Sequence, residues 1–292
     1  MEVLRDKADL EFLLDLKRDG PMVLVPTMGA LHEGHLSLVE LGNGLGPVVV
    51  SIFVNPTQFG PNEDFESYPR VLENDLDLLG SLDVAAVFAP DVSLMYGDGV
   101  GVKVHPGSRS TGLCGEDRPG HFAGVLTVVA KLFGLIQPDI AIFGRKDAQQ
   151  CLVIDQMVHD LAMPVSLVDG PTLREPDGLA MSSRNRYLDQ EQRDRAGCLV
   201  KSLRAGRTLL EQGERNPAVL KAIMEKELAP ADEILYAEVR RVPDMEIFPS
   251  VSGRVLLAVS ARVGVTRLID NFVLEINGDE IREGFLLGTV SC

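Results

Sequence analysis

Alternation restricts this chain most. Short apolar runs at Met22–Val25, Val48–Val54, Val84–Phe88, Ile140–Phe143 and Val165–Val168 are separated by stretches with apolar residues at helical spacing, near Leu36–Leu41, Glu73–Leu79, Gly124–Ile136 and Gln149–Leu161. Repeated strand-helix-strand order is the signature of parallel βαβ units, and each intervening stretch is long enough for a right-handed crossover. The pattern predicts an α/β, doubly wound, Rossmann-like parallel sheet. After about Arg184 it changes: helical stretches at Gln190–Gln212 and Pro217–Leu228 precede strands at Leu235–Arg240, Val255–Val263 and Thr266–Ile276. That order predicts a smaller α+β domain with an antiparallel sheet. We place the domains at residues 1–184 and 185–292, a division that 292 residues with 45% hydrophobic content can support with two cores.

Composition narrows the function. A net charge of −15 argues against a broad phosphate-neutralising surface and so against nucleic acid as the main partner. Any phosphate chemistry falls to local basic residues. Cys114, Cys151, Cys198 and Cys292 stand far apart without a CxxC pair, which predicts free thiols, a reducing compartment and no structural zinc. The N-terminal stretch mixes charges with apolar residues at helical spacing and lacks the uninterrupted apolar core of a signal peptide. The longest apolar stretch, Phe122–Ile136, contains Lys131 and is short for a membrane span. The expected location is cytoplasmic.

The first strand run leads into HEGH, His32 to His35. In a parallel sheet this turn lies at the carboxyl end of a strand, where helix N-terminal amides hold phosphate groups. Two imidazoles three residues apart share a face, and Gly34 between them removes a Cβ that would block a ligand. Imidazole donates to phosphate oxygens and can answer negative charge on a leaving group. A zinc helix of the HExxH kind would need histidines four apart.

Three further constellations fall at or just after predicted strand ends. FVNPTQF (Phe53–Phe59) offers the amides of Asn55 and Gln58 to a substrate with hydroxyl and carboxylate groups, although Asn55-Pro56 also reads as a plain turn. FGRKDAQQ (Phe143–Gln150) offers Lys146 as a mobile point charge and Gly144 for close backbone approach, with Asp147 readable as a helix N-cap. MSSR (Met181–Arg184) sets two hydroxyls beside a guanidinium, a phosphate clamp or equally a surface turn. Away from these, RPGHFAGV (Arg118–Val125) reads as a lid, or as His121 packing against its own helix.

Taken together, PTMGALHEGH, VVVSIFVNPTQF, YPR, HFAGVLTVV, FGRKDAQQ and DGLAMSSRNRYL, in this order from Pro26 to Leu188, closely resemble the pantothenate synthetase family, within the HxGH nucleotidyl-transferring superfamily that includes the HIGH/KMSKS tRNA synthetases. The resemblance continues more loosely through RVLLAVSARVGVTRLIDN. It implies ATP-dependent condensation of (R)-pantoate with β-alanine to pantothenate, AMP and pyrophosphate through a pantoyl adenylate. It also implies magnesium and a homodimer.

By motif position it assigns catalysis to His32, His35, Lys146, Ser182, Ser183 and Arg184, with His35 as proton donor. The ATP site would comprise Met28, Gly29, Ala30, Leu31, His32, Glu33, Gly34 and His35, with Gly144, Arg145, Lys146, Asp147, Leu173, Met181, Ser182, Ser183 and Arg184. Gln58 and Gln150 would grip pantoate, with Asn55, Met28, Phe53 and His121 around it. Asp75 would be the acidic group for magnesium. This chain departs from the pattern at Asn74, where a second acid is usual, and at Arg145, where an acid is frequent.

Three other readings fit parts of the pattern. Another adenylyl-transferring enzyme would keep HxGH without needing Gln58 and Gln150. A non-catalytic nucleotide-binding module would keep the sheet while losing the rim. A tRNA synthetase would need an RNA-binding surface that this acidic chain lacks.

Overall fold

The computed structural model describes residues 1–17, 20–61 and 63–287; Cys292, read above as a free thiol, lies outside them. Two sheets organise the chain. The first contains β1 (Glu2–Leu4), β2 (Val23–Thr27), β3 (Val48–Ile52), β4 (Val84–Phe88), β5 (Ile140–Gly144) and β6 (Ser166–Gly170). Its strands are all parallel, in the order β1-β4-β3-β2-β5-β6. Both faces are covered, so the central strands open on unbroken apolar runs: Val23, Leu24, Val25, Val48, Val49 and Val50 are fully buried.

The chain builds outward from β2 to β4 in one direction and then returns to place β5 and β6 on the other side. The order therefore reverses between β2 and β5, and a crevice opens beyond their carboxyl ends. The loop after β2 bears HEGH and the loop after β5 bears Lys146, so topology alone brings these two distant segments to opposite lips of one cleft.

The second sheet is antiparallel, β10-β9-β8-β7, from β7 (Glu233–Arg241), β8 (Gly253–Val263), β9 (Thr266–Asn277) and β10 (Glu280–Glu283). Helices Cys198–Glu211 and Pro217–Glu227 cover one face through Leu199, Leu203, Leu210, Leu220 and Met224. The doubly wound parallel sheet with a smaller α+β unit is thus the observed fold class.

Some boundaries differ from expectation. The amino-terminal stretch, read as helical, begins as β1 and keeps only Phe12–Leu16 as a helix. The single helical stretch expected over Gln190–Gln212 is two helices, Gln190–Ala196 and Cys198–Glu211, meeting at Gly197. The short edge strands β1 and β10 were absent from the sequence reading, because three or four residues leave no alternation to detect. Among the described residues, no helix is long and apolar enough to cross a membrane.

Candidate active site

A cavity of about 210 Å³ lies at the strand-order reversal. The sequence reading brought most of its lining together: Met28, His32, Gly34, His35, Phe53, Asn55, Gln58, His121, Gly144, Lys146, Asp147, Gln150, Leu173, Met181 and Arg184 all face it. Gly29, Ala30, Leu31, Glu33, Arg145, Ser182, Ser183 and Asp75 do not line it.

The HEGH lip is built on strained backbone held by a carboxylate. Gly29 and Ala30 both have positive φ, 77° and 51°, a conformation that costs a residue with a Cβ. It turns the amides of Ala30 and Leu31 onto the two oxygens of Asp75, at 2.9 and 2.8 Å. Burial lifts the Asp75 carboxyl above its ordinary range against the pull of those two amides. Asp75 is 2% exposed, and among the described residues no group of three or more His, Cys, Asp or Glu could hold a metal ion. The residue expected to meet magnesium is therefore the buried anchor of the loop, and these side chains do not form a cage for the ion.

His32 caps the helix Glu33–Asn43, its Nδ1 accepting from the Gly34 amide at 3.2 Å. That bond fixes the tautomer: the neutral ring bears its proton on Nε2. A Cβ at Gly34 would stand 3.0 Å from the His32 ring, so the glycine makes room for the imidazole as well as lining the cavity. The two rings lie 4.1 Å apart between centroids. Burial, then the neighbouring Lys146, depress the His32 pKa to about 4; burial, then His32 itself, depress that of His35 to about 3. At neutral pH both rings are uncharged. Among the described residues the buried Nδ1 of His35 has no hydrogen-bond partner.

On the opposite lip Lys146 sits in a single turn, Arg145–Asp147, with Asp147 at 3.5 Å from its Nζ. Burial works against the Asp147 carboxylate, but Lys146 and Arg184 bring its pKa below the usual range. The second sheet secures this turn: Asn271 on β9 donates to the carbonyls of Arg145 and Lys146 at 3.1 and 2.7 Å. Arg145 itself points away from the cavity, pairing with buried Asp169 at 2.6 Å and with Glu283 at 2.9 Å.

The cavity floor is polar and tightly fixed. Asn55 is 1% exposed; its Oδ1 accepts from Thr57 and from the Tyr96 hydroxyl, and its Nδ2 donates to Gln58 Oε1 and the Gly124 carbonyl. All its capacity is used, so Asn55 positions Gln58 and has nothing left for a substrate. Among the described residues Gln58 Nε2 has only the Met28 thioether, a weak acceptor, at 3.0 Å, and it lines the cavity as a strong donor. His121 is likewise spent: Nδ1 donates to the Gln58 carbonyl at 2.8 Å, and Nε2 accepts from Arg118 at 3.0 Å. The expected substrate contact at His121 is instead a brace beneath Gln58. Burial, then Arg118, hold the His121 pKa at about 4. Gly124 is obligatory here, since a Cβ would fall 2.2 Å from the Thr57 carbonyl oxygen.

The apolar wall extends beyond the two residues expected from sequence. Besides Met28 and Phe53 it is made by Val125, Val128, Val129 and Leu132 of helix His121–Ile136. Their spacing of three, four and seven is a readable helical stripe. Two acids and an aromatic ring were also missed. Arg184 is gripped by Asp64 at 2.8 and 2.9 Å and lies near the Tyr68 ring, while Arg118 is gripped by Glu63. Of the two serines, Ser182 accepts from the Arg184 amide and lines a smaller cavity of about 70 Å³ against the second sheet; Ser183 stands 3.5 Å from the Tyr68 hydroxyl.

A parallel sheet with neutral histidines and a lysine across its strand-order reversal defines a nucleotide-binding α/β protein with a small-molecule cavity beside the phosphate lips. Comparison with known proteins makes this specific. Residues 2–273 match the family model described as Pantoate-beta-alanine ligase. Pantothenate synthetase from Carboxydothermus hydrogenoformans is 49% identical over 271 residues, 91% of this chain and 96% of that protein. The Moorella thermoacetica protein of the same name is 52% identical, covering 87% and 91%. A crystal structure of pantothenate synthetase from Thermus thermophilus superposes with a TM-score of 0.88 at 43% identity, covering 93% of this chain and 98% of that one. The Francisella tularensis pantoate-beta-alanine ligase, solved in complex with beta-gamma ATP and beta-alanine, gives 0.76 at 34% identity, covering 94% and 97%. The chain belongs to the pantoate-beta-alanine ligase family, and it is an enzyme of the ligase class.

Proposed function

We propose that this enzyme condenses (R)-pantoate with β-alanine at the expense of ATP, giving pantothenate, AMP and pyrophosphate through a pantoyl adenylate. One observation supports this best: the phosphate-binding lips and the donor Gln58 face a single cavity whose far wall is a valine and leucine stripe. Pantoate has that mixed character, with hydroxyl and carboxylate groups at one end and two geminal methyl groups.

In this reading the triphosphate lies against the N-terminus of helix Glu33–Asn43, with His32 Nε2–H, His35 and Lys146 as donors and Arg184 joining once freed from Asp64. Gln58 and Gln150 orient pantoate so that its carboxylate oxygen meets the α-phosphorus. The phosphorus–oxygen bond to pyrophosphate breaks as the new one forms, and the fixed donors take up the charge that moves onto the leaving group. The β-alanine amine, as its free base, then attacks the acyl carbon, AMP departs with the bonding pair, and the nitrogen releases a proton to solvent.

Magnesium belongs to this proposal as a companion of ATP held by phosphate oxygens and water, since the side chains present do not form its cage. A homodimer in the cytoplasm is part of the same reading. So is a division at Arg184, with the second unit covering the site. Limited proteolysis with and without ATP and pantoate tests that cover, and absence of protection would count against it.

The decisive experiment is ATP/pyrophosphate exchange with magnesium and (R)-pantoate, omitting β-alanine, against other small carboxylic acids. Exchange that depends on pantoate is the expected result. Exchange with a different acid alone would discard the substrate, and no exchange in folded, ATP-binding protein would discard adenylation.

A further inference from the structure

Two neighbouring acids of one loop sit on the two arginines that face the cavity. Asp64 fills the fork of Arg184, and Glu63 fills that of Arg118 at 2.6 Å from Nε and 2.5 Å from Nη2. Arg118 spends its other contacts on the floor, donating to the Gln58 carbonyl at 3.3 Å and to His121 at 3.0 Å. It stands at a junction, lining the main cavity, the smaller cavity against the second sheet, and a wide groove of about 1200 Å³. That groove also presents Lys103, together with Arg262 and Arg267, which are paired with Glu233 at 2.8 Å and Asp117 at 2.7 Å. Burial alone would raise the Glu63 carboxyl, but the doubled bond and charge of Arg118 bring it down to about 2, so the fork holds a carboxylate throughout the physiological range.

The reaction proposed above brings two carboxylates to this site. That of pantoate is the nucleophile, and a bidentate guanidinium would engage both its oxygens. That of β-alanine does not react, stays charged, and needs a fixed cation two methylenes from the amine. A planar fork already shaped around a carboxylate, between an open groove and the reacting cavity, suits the second.

We propose that Arg118 binds the carboxylate of the amine substrate, and that Glu63 holds its place until that substrate arrives. This inference rests on the ligase reading. The exchange is one carboxylate for another, so Arg118 keeps its counter-charge and its bonds to Gln58 and His121. An amine without a carboxylate cannot displace Glu63, which makes Arg118 a specificity-determining residue for the second step.

The test compares β-alanine with β-alaninamide, which has the same amine and chain but no negative charge. Arg118→Gln should raise the KM for β-alanine by at least about tenfold while moving that for β-alaninamide far less. Glu63→Gln keeps the guanidinium and removes its occupant's charge, so the KM for β-alanine should fall several-fold, by roughly the cost of displacing a paired carboxylate. Glu66→Gln, an exposed acid of the same loop, controls for loss of charge in general. Equal damage to both amines in Arg118→Gln would make the arginine a support for Gln58 and overturn the proposal. So would a rise in the KM for pantoate in pyrophosphate exchange in place of the β-alanine effect, or a rise in the KM for β-alanine in Glu63→Gln. Exchange is measured in the same preparations without amine; its absence in the unaltered enzyme would instead defeat the adenylation proposed above.

Discussion

The two sides of the cleft solve the problem of waiting for an anion differently. On the side of β2 and β5, His32 and His35 stand uncharged, and Lys146 has a distant partner in Asp147. On the other side Arg118 and Arg184 already hold carboxylates in bidentate contact. A neutral imidazole costs little to keep in a water-poor cavity, whereas a guanidinium taken from water without a counter-ion costs several kcal/mol. The first side is thus free to respond to charge that develops during reaction. The second must give up an internal partner for each anion it binds, and so acts on affinity and choice of substrate.

Breaking the first side should do the most damage. Lys146→Ala and His35→Ala are each expected to lower pantoate-dependent pyrophosphate exchange by about 10²- to 10³-fold, the scale for losing a preorganised donor to a charged transition state. Circular dichroism and thermal melting should show the fold retained. A near-normal rate in either variant would remove that residue from the chemistry.

The floor separates the substrates. Gln58→Ala removes a strong donor of the cavity floor and should raise the KM for pantoate by about 10- to 100-fold, with a much smaller change for ATP. Equal effects on both would make Gln58 a scaffold for the turn, as Asn55 already is.

The sequence made the lips legible because each is a local motif: HEGH and GRKDAQQ state their chemistry within ten residues, and βαβ alternation states where strand ends fall. What it hid depends on contacts between segments far apart. Asp75 looked like a free acid because nothing in LENDLDLL says that it meets the amides of Ala30 and Leu31, 45 and 44 positions away. His121 and Asn55 looked like ligands of a substrate because their saturation by Gln58, Gly124, Tyr96 and Arg118 appears only after helix His121–Ile136 is pressed onto the turn. Glu63 and Asp64 passed as loop charges. Asn271, which holds the Lys146 turn, sits on the second sheet more than a hundred residues away.

The neutral state of the cavity histidines predicts an acid weakness. His32, His35 and His121 have folded pKa values of about 4, 3 and 4 against 6.5 for the free side chain. Between pH 6.5 and 4 the unfolded chain binds protons that the folded chain refuses, so stability is complete above 6.5 and falls as pH drops through this window. Each group contributes up to about 1.4 kcal/mol per pH unit there. Urea midpoints measured from pH 7 to 4.5 should decline, and His32→Asn, which keeps a helix cap, should make the decline shallower. An unchanged slope would mean that His32 is not held neutral by the fold.

The smallest effect sharpens the comparison most. Asp64 and Arg184 are each about a quarter exposed, 24% and 28%, so their pair contributes only about 1 kcal/mol and Asp64→Asn should barely move the melting temperature. If Arg184 must leave Asp64 to reach a phosphate, that same energy opposes ATP binding, and removing the charge should lower the KM for ATP by about three- to fivefold. If Asp64 instead aims Arg184 at the nucleotide, the same substitution raises the KM. The two signs distinguish a counter-ion that competes with the substrate from one that positions its arginine, which is the difference drawn between the two sides of the cleft.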